Sequence, residues 1–407
     1  MDEHTAQTTR ADADRTYWPA VITIVLTGVV SSFNVGKVPP AVADIMVDLG
    51  TGKIGVGWVA STLSVVAMTL ATAIGMWSDR WGHRRVMIWG MAILALGSLL
   101  GAVAQDLTLM IVARVIEGIG YLAYGVSGPS MMLRYSGIRR QRTLLGVWSG
   151  YMPGGFALAL LLSPWLHDTI GWRGVWIAAG VAAALSVVAL GLFTRARSSA
   201  PGSIAGLGSA FAETVSNPGI LLLAAAFMTY AFQWVSVMVW LPTFLAEEMA
   251  ASATVAASLT ALVVVANVLG NLIGGTLNRL EFRPGNLIMF AMASMGVTSA
   301  AVFLLDLSPV PRLALAFAFS CLGGILPATS FATSPRYVRT TDLLAGANGL
   351  IAQATNLGML IGPPLFAWAV TVGGGGWSNV AFVTLPAAAL GVLIGLAIRF
   401  YRPQAAS

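Results

Sequence analysis

Three ionisable side chains stand within otherwise apolar sequence: Lys37, Arg114 and Glu117. A charge in such a setting is costly, and it marks a place where a solute, a proton or another charge is bound. Arg114 and Glu117 are three residues apart, and with Gly118 and Tyr121 they share one helical face. Counted from Leu107, Arg114 stands about 10 Å into its apolar stretch, too deep for easy escape to water. Two readings are open for this pair. It anchors an anion or works as a proton-linked Arg–Glu pair, or it is a structural ion pair between neighbouring helices. Glu117 is the one carboxylate well inside an apolar stretch and so the obvious proton carrier, although an adjacent guanidinium opposes that role. Lys37 follows Asn34 by three residues and precedes Pro39-Pro40. It either meets an anion inside a cavity or snorkels to the headgroups.

A second set of polar residues offers hydrogen bonds without charge. Tyr230, Gln233 and Trp234 fall at helical spacing, as do Gln353 and Asn356, with Asn348 about two turns before Asn356. Asn267 and Asn271 share a face, and Tyr151 stands beside Pro153. Such amides and aromatic hydroxyls suit a small polar or anionic solute, and they equally suit bonds between helices. Tyr17, Trp18, Trp165 and Trp172 are expected in the interfacial belt.

These residues need a membrane scaffold. The chain of 407 residues is 57% hydrophobic and 9% charged, with mean hydropathy +0.81. A soluble domain carries about 25% charged residues, so most of this surface must face lipid. The 45 glycines suit close contact between membrane helices. A spanning helix needs about 20 apolar residues. Such stretches run approximately over 18–41, 56–78, 86–104, 107–133, 143–166 and 172–193, and again over 218–246, 255–277, 286–305, 311–333, 343–370 and 377–400. The closely spaced pairs on either side of Gln105-Asp106 and His167-Asp168 are the places where two spans are easily read as one. The pattern predicts an all-α membrane protein of twelve transmembrane helices.

Of the 22 lysines and arginines, seventeen fall on one side of these spans. Lys37, Lys53, Arg173 and Arg312 fall near the other, and Arg114 lies within a span. This bias predicts that both termini are cytoplasmic. Cations spread over so many loops are anchors, which removes the nucleic-acid partner that a net charge of +6 suggests. The expected organisation is a cytoplasmic tail over 1–17, a six-helix bundle over 18–193, a cytoplasmic linker over 194–217, a second bundle over 218–400 and a tail over 401–407. The first residues lack the basic start, short apolar core and cleavage site of a secretory signal. Aligning Gly146 with Gly346 also aligns Pro164 with Pro364, and the same offset carries Gly75 to Gly275. A recurring offset of this kind favours two repeats with a site between them.

The stretch GMWSDRWGHRR, between the second and third spans, resembles the G-x-x-x-D-R-x-G-R-R motif of the major facilitator superfamily. Gly75, Asp79, Arg80, Gly82, Arg84 and Arg85 match it, and His83 stands where the family has a basic residue. The second-half copy, Gly274 to Gly285, lacks the acid. Arg114 and Gly118 resemble the family's R-x-x-x-G motif, and Gly146, Gly150, Pro153, Gly154 and Gly155 resemble its glycine–proline motif. The first, seventh and eleventh spans (FNVGKVPPA, WLPTFL and NGLIAQATNLGMLIGPP) are similar to the cyanate-permease and nitroimidazole-transporter branch. The resemblance implies the major facilitator fold of two six-helix bundles in a bacterial inner membrane, with Gly75 to Arg85, Gly146, Gly150 and Pro153 as gating elements. It implies secondary active transport of a small solute by alternating access.

The cations Lys37 and Arg114 point to an organic anion, with Asn34, Lys37, Arg114, Glu117, Tyr121, Tyr151, Tyr230, Gln233, Trp234, Asn267, Asn348, Gln353 and Asn356 as candidate lining. Proton-driven efflux of small drug-like molecules is the alternative. No phosphate-binding loop, HExxH motif or nucleophile elbow occurs, and a sensor or enzyme on this scaffold is the remote reading. The one cysteine, Cys321, excludes internal disulfides. No cofactor or metal is expected. The chain is expected to work as a monomer with the bilayer, its solute and a coupling proton as partners.

Overall fold

The computed structural model describes residues 16–195, 213–338, 342–372 and 375–401. Most of the terminal tails and of the linker therefore lie outside the described residues. Every regular element among them is helical. The first half contains α1 (Trp18–Gly36), α2 (Val42–Asp48), α3 (Lys53–Ser61), α4 (Leu63–Trp81), α5 (His83–Ala102), α6 (Leu107–Tyr135), α7 (Gln141–Ser149) and α8 (Tyr151–Phe193). The second contains α9 (Pro218–Met249), α10 (Ala253–Arg279), α11 (Pro284–Leu304), α12 (Pro309–Gly323), α13 (Ile325–Thr333), α14 (Asp342–Thr371) and α15 (Ala381–Phe400).

Among the described residues, ten helical runs are long and apolar enough to cross a bilayer, and the bent pair α3–α4 supplies an eleventh. Helix α8, with 43 residues, would extend about 64 Å if straight, twice the hydrocarbon thickness of about 30 Å. Gly171 folds it in two, with φ 69° and ψ 170°, a conformation open to glycine. Twelve crossings result. The fold-back follows the His167-Asp168 pair, where the sequence left two spans hard to separate.

Local chemistry sets the helix ends. Asp106 accepts from the Leu109 amide at 2.8 Å and starts α6. Asn217 accepts from Gly219 and Ile220 at 3.0 and 3.2 Å, with Pro218 in the first turn, where its missing N–H is harmless. Gly82, at φ 88°, makes the turn from α4 to α5. The glycine–proline stretch is a helix junction: α7 ends at Gly150, and Pro153 sits in the first turn of α8.

Within the first half, α1 packs on α8 and α6, α5 on α6 and α8, and α4 on α6. Within the second, α9 packs on α14 and α15, α11 on α15 and α12, and α10 on α12 and α13. The halves meet where α14 lies against α3 and α4, and where α10 lies against α8. Lys53 Nζ bonds Glu247 Oε2 at 2.7 Å across this seam and lies 5.2 Å from the centre of the Trp377 ring. The Trp377 indole donates to the same carboxylate oxygen at 3.0 Å. Trp172 is not a belt residue. It is buried and donates to Asp48, the last residue of α2, at 2.8 Å beside the Gly171 fold-back of α8. Tyr17, Trp18 and Trp165 are exposed as expected.

Candidate functional site

The three ionisable residues picked out in the sequence converge on one buried cluster. Lys37 caps the C-terminus of α1, one residue past Gly36. Arg114 and Glu117 lie one turn apart on α6. Lys37 Nζ bonds Glu117 Oε1 at 2.6 Å, Asn34 Oδ1 at 2.7 Å and Ser98 Oγ at 2.7 Å. Arg114 Nη1 pairs with the other oxygen, Glu117 Oε2. Asn34, Lys37, Ser98, Arg114 and Glu117 are each 0% exposed. The snorkelling reading of Lys37 is thereby overturned, since its ammonium points into the bundle. Snorkelling needs the ammonium free to reach the headgroups, and Nζ is instead held by three buried oxygens.

Arg114 is also fixed to backbone. Its Nε donates to Val59 O at 2.8 Å and Nη1 to Asn34 O at 2.9 Å. The break between α3 and α4 and the end of α1 supply these carbonyls. Arg114 Nη2 has no hydrogen-bond partner among the described residues, although it is buried. Ser98 on α5 donates to Trp176 O at 2.9 Å, and the Trp176 ring lies 4.5 Å from Lys37 Nζ. The cluster thus ties α1, α3, α5, α6 and α8. Gly97 allows the approach of α5 to α6, because a Cβ there would lie 2.7 Å from the Glu117 amide nitrogen. Ser98 and Trp176 went unmarked in the sequence. A serine in an apolar helix and a tryptophan within a span carry no signal of a partner.

Tyr121 is buried on the same face of α6, in the main core. Tyr151 packs edge-on to Tyr124 at 5.0 Å and against Trp148 at 5.1 Å. In the second half, Tyr230 stacks on Trp234, with ring centres 6.5 Å apart. Its hydroxyl accepts from Asn267 Nδ2 at 2.8 Å. Trp234 donates to Ser320 Oγ at 2.9 Å and faces Phe156 of the other half at 6.2 Å. Gln233 donates to Thr229 O at 3.3 Å, and its Oε1 is buried without a partner. Asn356 donates to Ala352 O at 2.8 Å and also keeps an unpartnered Oδ1. Asn348 stands apart from these and accepts from Ser334 at 2.9 Å. Gln353 is half-buried on α14. Asn34, Lys37, Arg114 and Glu117 therefore form a charged group in the first half, and Tyr230, Trp234 and Asn267 an aromatic–amide group in the second, with Tyr151 and Asn348 outside both.

Of the gating residues, Arg84 donates to Thr194 Oγ1 at 2.9 Å and to Gly191 O at 3.1 Å, at the end of α8 in its own half. Arg80 and Arg85 are exposed. Gly75 and Asp79 lie on α4, but their side-chain positions fall outside the described residues. Gly146 is exposed on α7, and Gly150 and Pro153 form the junction described above.

Twelve crossings in two packed groups, with buried polar clusters on either side of the seam, define a polytopic helical transporter fold. The chain belongs to the major facilitator superfamily, whose family model matches residues 24–342. It is 27% identical to the probable 4-methylmuconolactone transporter of Cupriavidus pinatubonensis, over 74% of this chain and 73% of that one. It is also 27% identical to the multidrug resistance protein B homolog of Mycobacterium tuberculosis, over 51% of this chain. That match spans 37% of the relative's length, little more than a third. The crystal structure of a bacterial homolog to the human lysosomal transporter Spinster, inward-facing and unoccupied, superposes with TM-score 0.80 at 16% identity. It covers 95% of this chain and 98% of that one, and the likeness is one of fold.

Proposed function

We propose that the chain is a secondary transporter that moves a small organic anion by alternating access between two six-helix halves, residues 18–193 and 218–400. Arg114 carries this reading. Its buried Nη2 is an unused donor in a cluster with two cations and one carboxylate, and a bound anion supplies the missing acceptor and the missing charge. The aromatic and amide groups of α9, α10 and α14 supply the uncharged side of the path. In this reading both termini and the linker 194–217 are cytoplasmic and the spans lie in a bacterial inner membrane, and the arginine bias supports the orientation. Gly75 to Arg85, Gly146, Gly150 and Pro153 serve the gate on that side. The chain works as a monomer, and a proton is its coupling ion.

Purified protein in a thermal-shift screen tests the anion reading against small carboxylates, cyanate and nitroimidazoles. A carboxylate should raise the melting temperature of the native protein and fail to raise that of Arg114→Lys, which keeps a charge but loses Nη2. Equal stabilisation of both forms sinks Arg114 as the anchor. The likeness to a multidrug resistance protein favours a second reading, efflux of small drug-like molecules. Stabilisation by nitroimidazoles alone would select it.

A further inference from the structure

Lys37 and Arg114 set two positive charges against the one negative charge of Glu117, and all three are shut away from solvent. An excess charge in a low-dielectric interior is costly. A guanidinium does not give up its proton in a protein. Protonating Glu117 would enlarge the excess, and each of its oxygens is already taken by a cation. Lys37 alone can cancel the excess while each of its own three contacts is kept. We infer that Lys37, rather than Glu117, is the group of this cluster that binds and releases a proton. The role in coupling rests on the transport reading above.

The contacts of Lys37 Nζ fit both of its forms. As an ammonium it donates to Asn34 Oδ1, Ser98 Oγ and Glu117 Oε1, at 2.7, 2.7 and 2.6 Å. As an amine it has two N–H groups and one lone pair. Asn34 Oδ1 and Glu117 Oε1 only accept, so they keep the two N–H groups. Ser98 carries a hydroxyl that can reverse its role. It donates to Trp176 O at 2.9 Å while Lys37 is charged, and it donates to Nζ when Lys37 is neutral. In the step, one N–H bond breaks, its electron pair stays on nitrogen to meet the Ser98 hydroxyl, and the proton leaves to water. The cluster goes from one net positive charge to none, and no heavy atom needs to move.

The charged groups facing Nζ are Glu117 and Arg114, both on α6. The other elements around it present Asn34 of α1, Ser98 of α5 and the Trp176 ring of α8. Because the whole cluster is buried, proton exchange requires this packing to loosen, which confines it to part of a transport cycle. An anion at Arg114 Nη2 balances the second cation and so favours the charged lysine. Anion and proton then strengthen each other's binding by linkage.

The sequence makes this directly measurable, since Lys37 and Lys53 are its two lysines. Full-length protein labelled with [6-13C]lysine, in nanodiscs of uncharged lipid, gives two Cε resonances. Lys53→Arg assigns them by loss of one. Should that variant fail to fold, a water-soluble paramagnetic chelate serves instead, broadening the partly exposed Lys53 and sparing Lys37. As pH is varied, the Lys37 resonance should move between its ammonium and amine positions. The Glu117 carboxyl carbon, labelled through [5-13C]glutamate and assigned with Glu117→Gln, should stay at its carboxylate position. A Lys37 resonance that is fixed over the whole range in which the protein stays folded overturns the inference, and so does a Glu117 carboxyl carbon that moves to its acid position over the same range. A titrating Lys37 in protein that moves no solute supports the proton site and defeats the transport reading.

Discussion

At the scale of the residue, Glu117 holds the cluster together, one oxygen on Lys37 and the other on Arg114. Below the pH at which Lys37 releases its proton, removing the charge of Glu117 leaves two cations facing each other in the interior. Glu117→Gln is therefore expected to destabilise the protein by about 3–5 kcal/mol, the usual result of breaking a buried ion pair from one side. Lys37→Met in the same background should recover part of that loss, because it removes one of the stranded charges. Thermal unfolding of the two variants in detergent measures both effects, and a double variant no more stable than Glu117→Gln would count against the triad. The Arg114–Glu117 pair was legible in the sequence, since residues three apart share a helical face. The partnership with Lys37 was not, because 80 residues separate it from Glu117 and spacing says nothing about contacts between helices.

At the scale of the element, the spans follow from runs of apolar residues and their ends from local signals such as Asp106, Asn217-Pro218 and Gly82. These were readable because each acts within one or two turns. The fold-back at Gly171 was only half readable, as a short polar pair in a long apolar run. The seam between the halves was not readable at all. Lys53 and Glu247 meet across 194 residues of chain, and Gly57 packs against Pro363 and Pro364 with room for no Cβ at about 3 Å. Lys53→Glu places like charges together and removes the contact with the Trp377 ring. Spin labels on the exposed Val47 and Asp306, one in each half, should then report a longer distance population by pulsed EPR. An unchanged distribution would mean that the Lys53–Glu247 pair does not hold this end closed.

At the scale of the whole molecule, the twelve crossings and the superfamily were legible because bilayer thickness fixes span length and the Gly75–Arg85 motif sits in a fixed place. Which residues line a common path was less legible. Apolar helices bury amides for mutual support as readily as for a solute, and the charged cluster came out in one half while the aromatic–amide cluster came out in the other. The central claim is that these clusters serve the movement of a small organic anion, with Arg114 as its anchor. Proteoliposome uptake of radiolabelled carboxylates, under an imposed pH gradient, tests that claim most directly. Native protein should accumulate at least one carboxylate above empty liposomes, and Arg114→Lys, reconstituted to the same level, should lose about 10-fold or more of that rate, the equivalent of one charge-assisted hydrogen bond. Equal rates for the two proteins, or uptake of a neutral or cationic compound with none of any carboxylate, would contradict it.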